Sequence, residues 1–279
     1  MRDWYGLSNR QLGQELSEKA LLSLLSLWMI CELSNTLSLK RQDSSNDHIR
    51  KKRMVDPLPL MTSFSVTIQN TAYVVNIRRN GSYKCMGSIL ATNIIITSGE
   101  CIDDPHMVYS IWSGSSYLNR GFRYTVVQRH KHPGYRNRYA NNLGILEIFP
   151  PIDHYCSFNR KIVLHNEVIA PNTQGIITGW RCTPEQRNSR KIPSALRSIR
   201  VPIISEQQCF HNCHNTILIS IKQICTLERN AGAPLVVDHQ LVAVMACTGG
   251  FLNGMHPDVF VNLSHHLFRN WINTFIQHI

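Results

Sequence analysis

From Ser63 onward the chain is a succession of short apolar and β-branched runs cut by turn residues, and this punctuation constrains the fold more than any other feature. The runs are Ala72 to Ile77, Gly87 to Leu90, Ile94 to Thr97, Tyr124 to Gln128, Leu143 to Ile148, Ile176 to Thr178, Arg197 to Pro202, Ala233 to Val237 and Leu241 to Met245. Only the end reads as a helix, because Leu267, Trp271, Phe275 and Ile279 recur every fourth residue with Asn270, Asn273 and Gln277 between them. With 279 residues, 43% of them hydrophobic, there is material for one large all-β domain or two small ones.

The first 62 residues do not share this pattern. Residues 1–31 form a leader in which Ala20 to Cys31 runs twelve residues without a charge. A membrane span needs about 20 apolar residues, so the run suits the apolar region of a signal peptide, with a signal anchor as the alternative. Residues 32–62 are a polar, basic linker or pro-segment containing Arg50-Lys51-Lys52-Arg53. Four adjacent cations are either a solvated charge run or a processing site at Arg53, whose cleavage would expose Met54-Val55. The nine cysteines fit an oxidising compartment, and their odd number leaves at least one without an intramolecular partner. The expected location is therefore outside the cell, secreted or membrane-anchored.

A formal charge of +11 permits polyanionic partners without choosing among them. From Pro105 to Leu146 the sequence carries Arg120, Arg123, Arg129, Lys131, Arg136 and Arg138, and no acid precedes Leu146 in that stretch. The pattern is a solvated basic face or a heparin-like polyanion surface. No groove-reading motif accompanies it, so sequence-specific nucleic-acid binding is not expected. Asn80-Gly81-Ser82 and Asn262-Leu263-Ser264 are glycan acceptor sequences, the first in an expected turn.

Ordered blocks from residue 63 to the end carry a resemblance. Cys85-Met86-Gly87-Ser88-Ile89-Leu90, Ile95 to Cys101 (IITSGEC), His132-Pro133-Gly134-Tyr135, Asn142-Leu143-Gly144-Ile145-Leu146, Thr178-Gly179-Trp180, Leu196 to Ser205 followed by Cys209, Glu228 to Val236 (ERNAGAPLV) and Pro257-Asp258-Val259-Phe260 succeed one another. Each is weak alone, but together they resemble the trypsin-like serine proteases. The resemblance implies an all-β fold of two packed six-stranded antiparallel β-barrels with a C-terminal helix, spanning residues 63–279.

The resemblance also exposes what is missing. Ala231 stands where the family carries its nucleophilic serine, and a methyl group cannot attack a carbonyl. Glu100, immediately before Cys101, stands where the family has its histidine base. The aspartate position falls on Asn142, or on Leu143 if the register slips by one; neither residue is charged. Asn230 and Arg229 likewise replace the aspartate that receives the new amino terminus and a glycine of the oxyanion hole. The short Thr226 to Asn230 link removes the pocket floor, and Ala246-Cys247-Thr248 replaces the Ser-Trp-Gly edge.

Family position pairs Cys85 with Cys101 and Cys209 with Cys225; each bridge would close a loop of about 15 residues and contribute roughly 3 kcal/mol. Two family bridges are lost as whole pairs, one of them at Gly175 and Val237. Cys156, Cys182, Cys213 and Cys247 have no assigned partner, since connectivity does not follow from sequence. Cys209, His211, Cys213 and His214 are spaced closely enough for zinc, but a bridged Cys209 makes a surface loop the better reading, so no metal and no cofactor are expected. The reading is an inactive protease homologue that binds a protein partner or polyanion. Its alternatives are an enzyme with another nucleophile, such as Cys247 or Glu100, and a membrane-tethered relative.

Overall fold

The computed structural model describes residues 63–137, 140–180, 195–212, 223–226, 233–247 and 258–276. The first barrel is built from β2 (Val74–Arg79), β3 (Ser82–Ala91), β4 (Ile94–Thr97), β5 (Tyr109–Ser113), β6 (Phe122–Lys131) and β7 (Gly144–Phe149), closed in the order β2-β3-β4-β7-β6-β5. Asn80 and Gly81, both at positive φ, make the two-residue turn from β2 to β3, where Arg79 pairs with Ser82. That geometry is the one an Asn-Gly pair favours, because glycine meets no steric penalty there and asparagine tolerates it. Inside, Val75, Ile77, Ile89, Ile95, Ile111 and Leu146 are fully buried with the Cys85–Cys101 disulfide among them. Gly87 has to be a glycine: a Cβ there would stand 2.8 Å from the Ile96 carbonyl oxygen.

The second half is an eight-stranded sheet. Its six main strands run β10 (Arg197–Pro202), β9 (Gln174–Gly179), β12 (Pro234–Val237), β13 (Gln240–Cys247), β14 (Asp258–Asn262) and β11 (Gln223–Thr226). Two-residue β1 (Phe64–Ser65) adds to β10, and two-residue β8 (Val163–Leu164) pairs in parallel with β13. β5 was invisible to the apolar-run criterion because Ser110 and Ser113 interrupt it, yet both serines are buried. The β9–β12 register pairs Ile176 with Val236, one step from Gly175 and Val237, the positions of one lost bridge.

Helix α1 (Glu206–Asn212) starts where the Ser205 hydroxyl accepts the Gln208 N–H at 3.2 Å, an N-cap. Helix α2 (His266–Ile276) closes the chain. Its buried residues are Phe268 and Ile272, with Trp271, Phe275 and Ile276 half-buried, while Leu267 is exposed; the stripe lies one residue further on than the spacing of Leu267 implied. Phe268 and Ile272 enter a shared core with Ile96 and Leu143 of the first half and Val236 and Val244 of the second. This common apolar layer holds the two sheets together, each fully buried aliphatic side chain contributing about 1.5–3 kcal/mol relative to exposure. Arg269 adds polar contacts, its guanidinium donating to the Leu263 and His165 carbonyls and to Asn166.

Candidate functional site

The site grows from the end of β4. Thr97 donates to the Met86 carbonyl at 2.7 Å, and the chain then turns through a short 3-10 segment, Gly99–Cys101, with Cys101 N–H bonded to the Ser98 carbonyl at 3.1 Å. Cys101 points into the barrel and joins Cys85 through a 1.97 Å S–S bond. Its neighbour Glu100 is half-buried, and its backbone N–H donates to Asn142 Oδ1 at 2.9 Å.

Asn142 is fully buried and uses both ends of its amide. Oδ1 accepts from Glu100, and Nδ2 donates to the Ala246 carbonyl at 2.7 Å. The amide thus fastens the Glu100 turn of the first barrel to β13 of the second sheet. A carboxylate has no proton for the second bond, so the asparagine does something an aspartate could not. Leu143, the one-residue alternative, is fully buried in the shared core, and its carbonyl accepts the His132 N–H at 3.0 Å. The residue beside Glu100 is therefore Asn142.

Ala231, Asn230 and Arg229 lie outside the described residues, as do Arg53, the Ala20 to Cys31 run, Arg138, Cys182, Cys213 and His214. Described structure resumes at Ala233, fully buried, whose carbonyl accepts the Met245 N–H at 2.9 Å. Cys156 and Cys209 are both disulfide-bonded; the side chain of Cys225 is outside the described set. A bridged Cys209 has no thiolate to offer a metal, and among the described residues no cluster of three His, Cys, Asp or Glu side chains forms.

The described residues of the basic stretch differ in their surroundings. Arg129 is a structural side chain: it donates to the carbonyls of Ile102, Asp104 and Pro105 and lies over the Tyr109 ring. Arg120 and Lys131 are exposed, over Tyr117 and Tyr135 respectively, and Arg123 and Arg136 are exposed as well. Arg123 and Lys131 stand eight residues apart on β6, about 26 Å at roughly 3.3 Å per residue. Of the glycan acceptors, Asn80 is exposed in the β2–β3 turn, its Oδ1 accepting the Val108 N–H at 3.0 Å. Asn262 is half-buried at the end of β14, and its Oδ1 accepts from the backbone and hydroxyl of Ser264.

A closed six-stranded barrel, a second sheet of six main strands and a C-terminal helix define the class, that of the trypsin-like fold. A family model described as Trypsin matches residues 62–272, and the chain belongs to the trypsin family. Trypsin alpha of Drosophila melanogaster is 26% identical over 221 residues, 75% of this chain and 84% of that protein. Trypsin of Simulium vittatum is 24% identical over 215 residues, 73% of this chain and 83% of its own. Among solved structures, the scabies mite inactivated protease paralogue S-D1 superposes with a TM-score of 0.68 at 21% identity, covering 77% of this chain and 97% of that one. Among the described residues no helix is long and apolar enough to cross a membrane.

Proposed function

We propose that this chain is a catalytically inactive, secreted member of the trypsin family that acts by binding a protein partner. The observation that carries the reading is the amide of Asn142, which spends its donor on the Ala246 carbonyl and its acceptor on the Glu100 N–H. In the family this position orients a histidine through a carboxylate; here there is no histidine to orient, since Glu100 precedes Cys101. Ala231 supplies no hydroxyl, so base, orienting acid and nucleophile are all replaced together. The scabies mite protein described as inactivated supports the idea that this architecture persists without the chemistry.

The decisive experiment treats secreted, purified protein with a fluorophosphonate probe and with peptide esters. No labelling and no turnover are expected. Labelling that a serine-directed inhibitor blocks would overturn the reading, and labelling by a cysteine-directed probe would favour another nucleophile. Mass spectrometry of the same sample reads whether the leader is removed, whether the chain is cut at Arg53 and whether Asn80 carries a glycan; all but the Arg53 cut are expected for a secreted glycoprotein.

A further inference from the structure

We propose that a cavity between the start of the barrel domain and the second sheet is a binding site for a small amphipathic carboxylate, such as a medium-chain fatty acid. The cavity measures about 510 Å³ and shares no lining residue with the Glu100–Asn142 site. That size falls within the range of small-molecule pockets, about 300–1,000 Å³, and is too small to seat a folded partner. Its wall is mixed: Val66, Ile162, Val163, Ile176 and Val236 supply an apolar part that suits a hydrocarbon body, and polar side chains such as Gln174 and Ser198 line the rest.

Two polar features point to the head group. The segment before β8 is pinned: the Arg160 N–H donates to the Ala72 carbonyl at 3.1 Å, and the Ile162 N–H to the Ile89 carbonyl at 2.9 Å. Arg160 and Lys161, both exposed, therefore line the cavity from a fixed backbone, and among the described residues neither has an ion-pair partner. Asp238, in the two-residue turn between β12 and β13, also lines the cavity, and among the described residues it forms an ion pair with neither cation. Of the two cations, Arg160 carries the planar fork that matches a carboxylate.

The second feature is a chain of hydroxyls. Tyr73 bonds Thr178, and Thr178 Oγ1 lies 2.7 Å from Ser198 Oγ. Three hydroxyl protons serve two bonds, so one remains, and both ends of the chain, Tyr73 and Ser198, line the cavity. Burial keeps the Tyr73 phenol protonated, pushing it up to about 12, so the chain presents a donor and no competing negative charge.

The test is calorimetric titration of the full secreted protein with dodecanoate, alongside dodecanol and dodecyltrimethylammonium. Saturable binding of dodecanoate is expected, with the alcohol at least about tenfold weaker and the cation weaker still. Arg160→Gln should bring dodecanoate down to the affinity of the alcohol. Val163→Trp should abolish binding of both; Val163 lines the cavity and is 59% exposed, so a larger side chain there obstructs the cavity without displacing a buried residue. Absence of saturable dodecanoate binding, equal binding of alcohol or cation, or indifference to Val163→Trp would each overturn the assignment. None of these outcomes depends on whether the cleft is reactive.

Discussion

The interior of the first barrel and the cleft at its edge meet in one three-residue turn, Gly99–Cys101, and the two sides of that turn differ in what they retain. Inward, Cys101 keeps its bridge to Cys85 amid the fully buried Ile77, Ile89, Ile95 and Ile111. Outward, Glu100 and Asn142 occupy the positions that we propose correspond to a base and its orienting acid in relatives, and the second of these links two backbones. Packing is set by many contacts at once, so a core position changes only at a cost shared by its neighbours. A reactive side chain serves chemistry more than folding, and it can be replaced wherever the new residue satisfies the hydrogen bonds left behind.

That contrast can be broken at graded cost. Ile111→Ala empties a fully buried barrel position and should cost about 4 kcal/mol by urea denaturation; a loss below about 1 kcal/mol would mean the barrel interior is loosely packed. Replacing Cys85 and Cys101 together by serine opens a bridge of sequence separation 16 and should cost about 3 kcal/mol. On the cleft side, Asn142→Ala removes two buried hydrogen bonds and should cost about 2 kcal/mol. Asn142→Asp should restore little of that, because a carboxylate oxygen would face the Ala246 carbonyl with no proton between them. Full stability in the aspartate variant would show that the position still accepts the family's residue and would blunt the contrast.

Much of the architecture was legible in the sequence. Ile94–Thr97 and Arg197–Pro202 were read to the residue, because their apolar or β-branched runs end at turns. The ordered family blocks then supplied connections that periodicity cannot. Strand β5 escaped because its buried serines are polar, and the helix stripe was displaced because Leu267 fits the spacing but is exposed. At the site, the sequence singled out Glu100 and Asn142 by resemblance alone, and it carried no signal for the second bond of the amide, which joins residues 104 apart. In the basic stretch, side-chain charge is visible in sequence, whereas the carbonyls that engage Arg129 are not. The cavity beside Tyr73 had no sequence signal, being assembled from segments distant in the chain.

The smallest effect is one of pH, and it belongs to His154, outside both the barrel interior and the cleft. Burial lowers the basicity of this imidazole below its ordinary value of 6.5; a hydrogen bond with the Asn159 backbone opposes it, the nearby Lys161 charge acts with burial, and Asp153 acts against it. The unfolded chain then takes up a proton at a pH where the folded chain still refuses it. Stability contributed by the neutral imidazole is full above about 6.5 and is lost as pH falls through the window below it. Partial exposure keeps the change under about 1 kcal/mol. Urea midpoints measured from about pH 7.5 to about pH 5.5 should fall for the parent, and His154→Gln should flatten that slope while leaving the neutral-pH stability nearly unchanged. An unchanged slope in the variant would assign the pH dependence to other groups, and a large loss at neutral pH would move His154 from the periphery of the fold into its supporting structure.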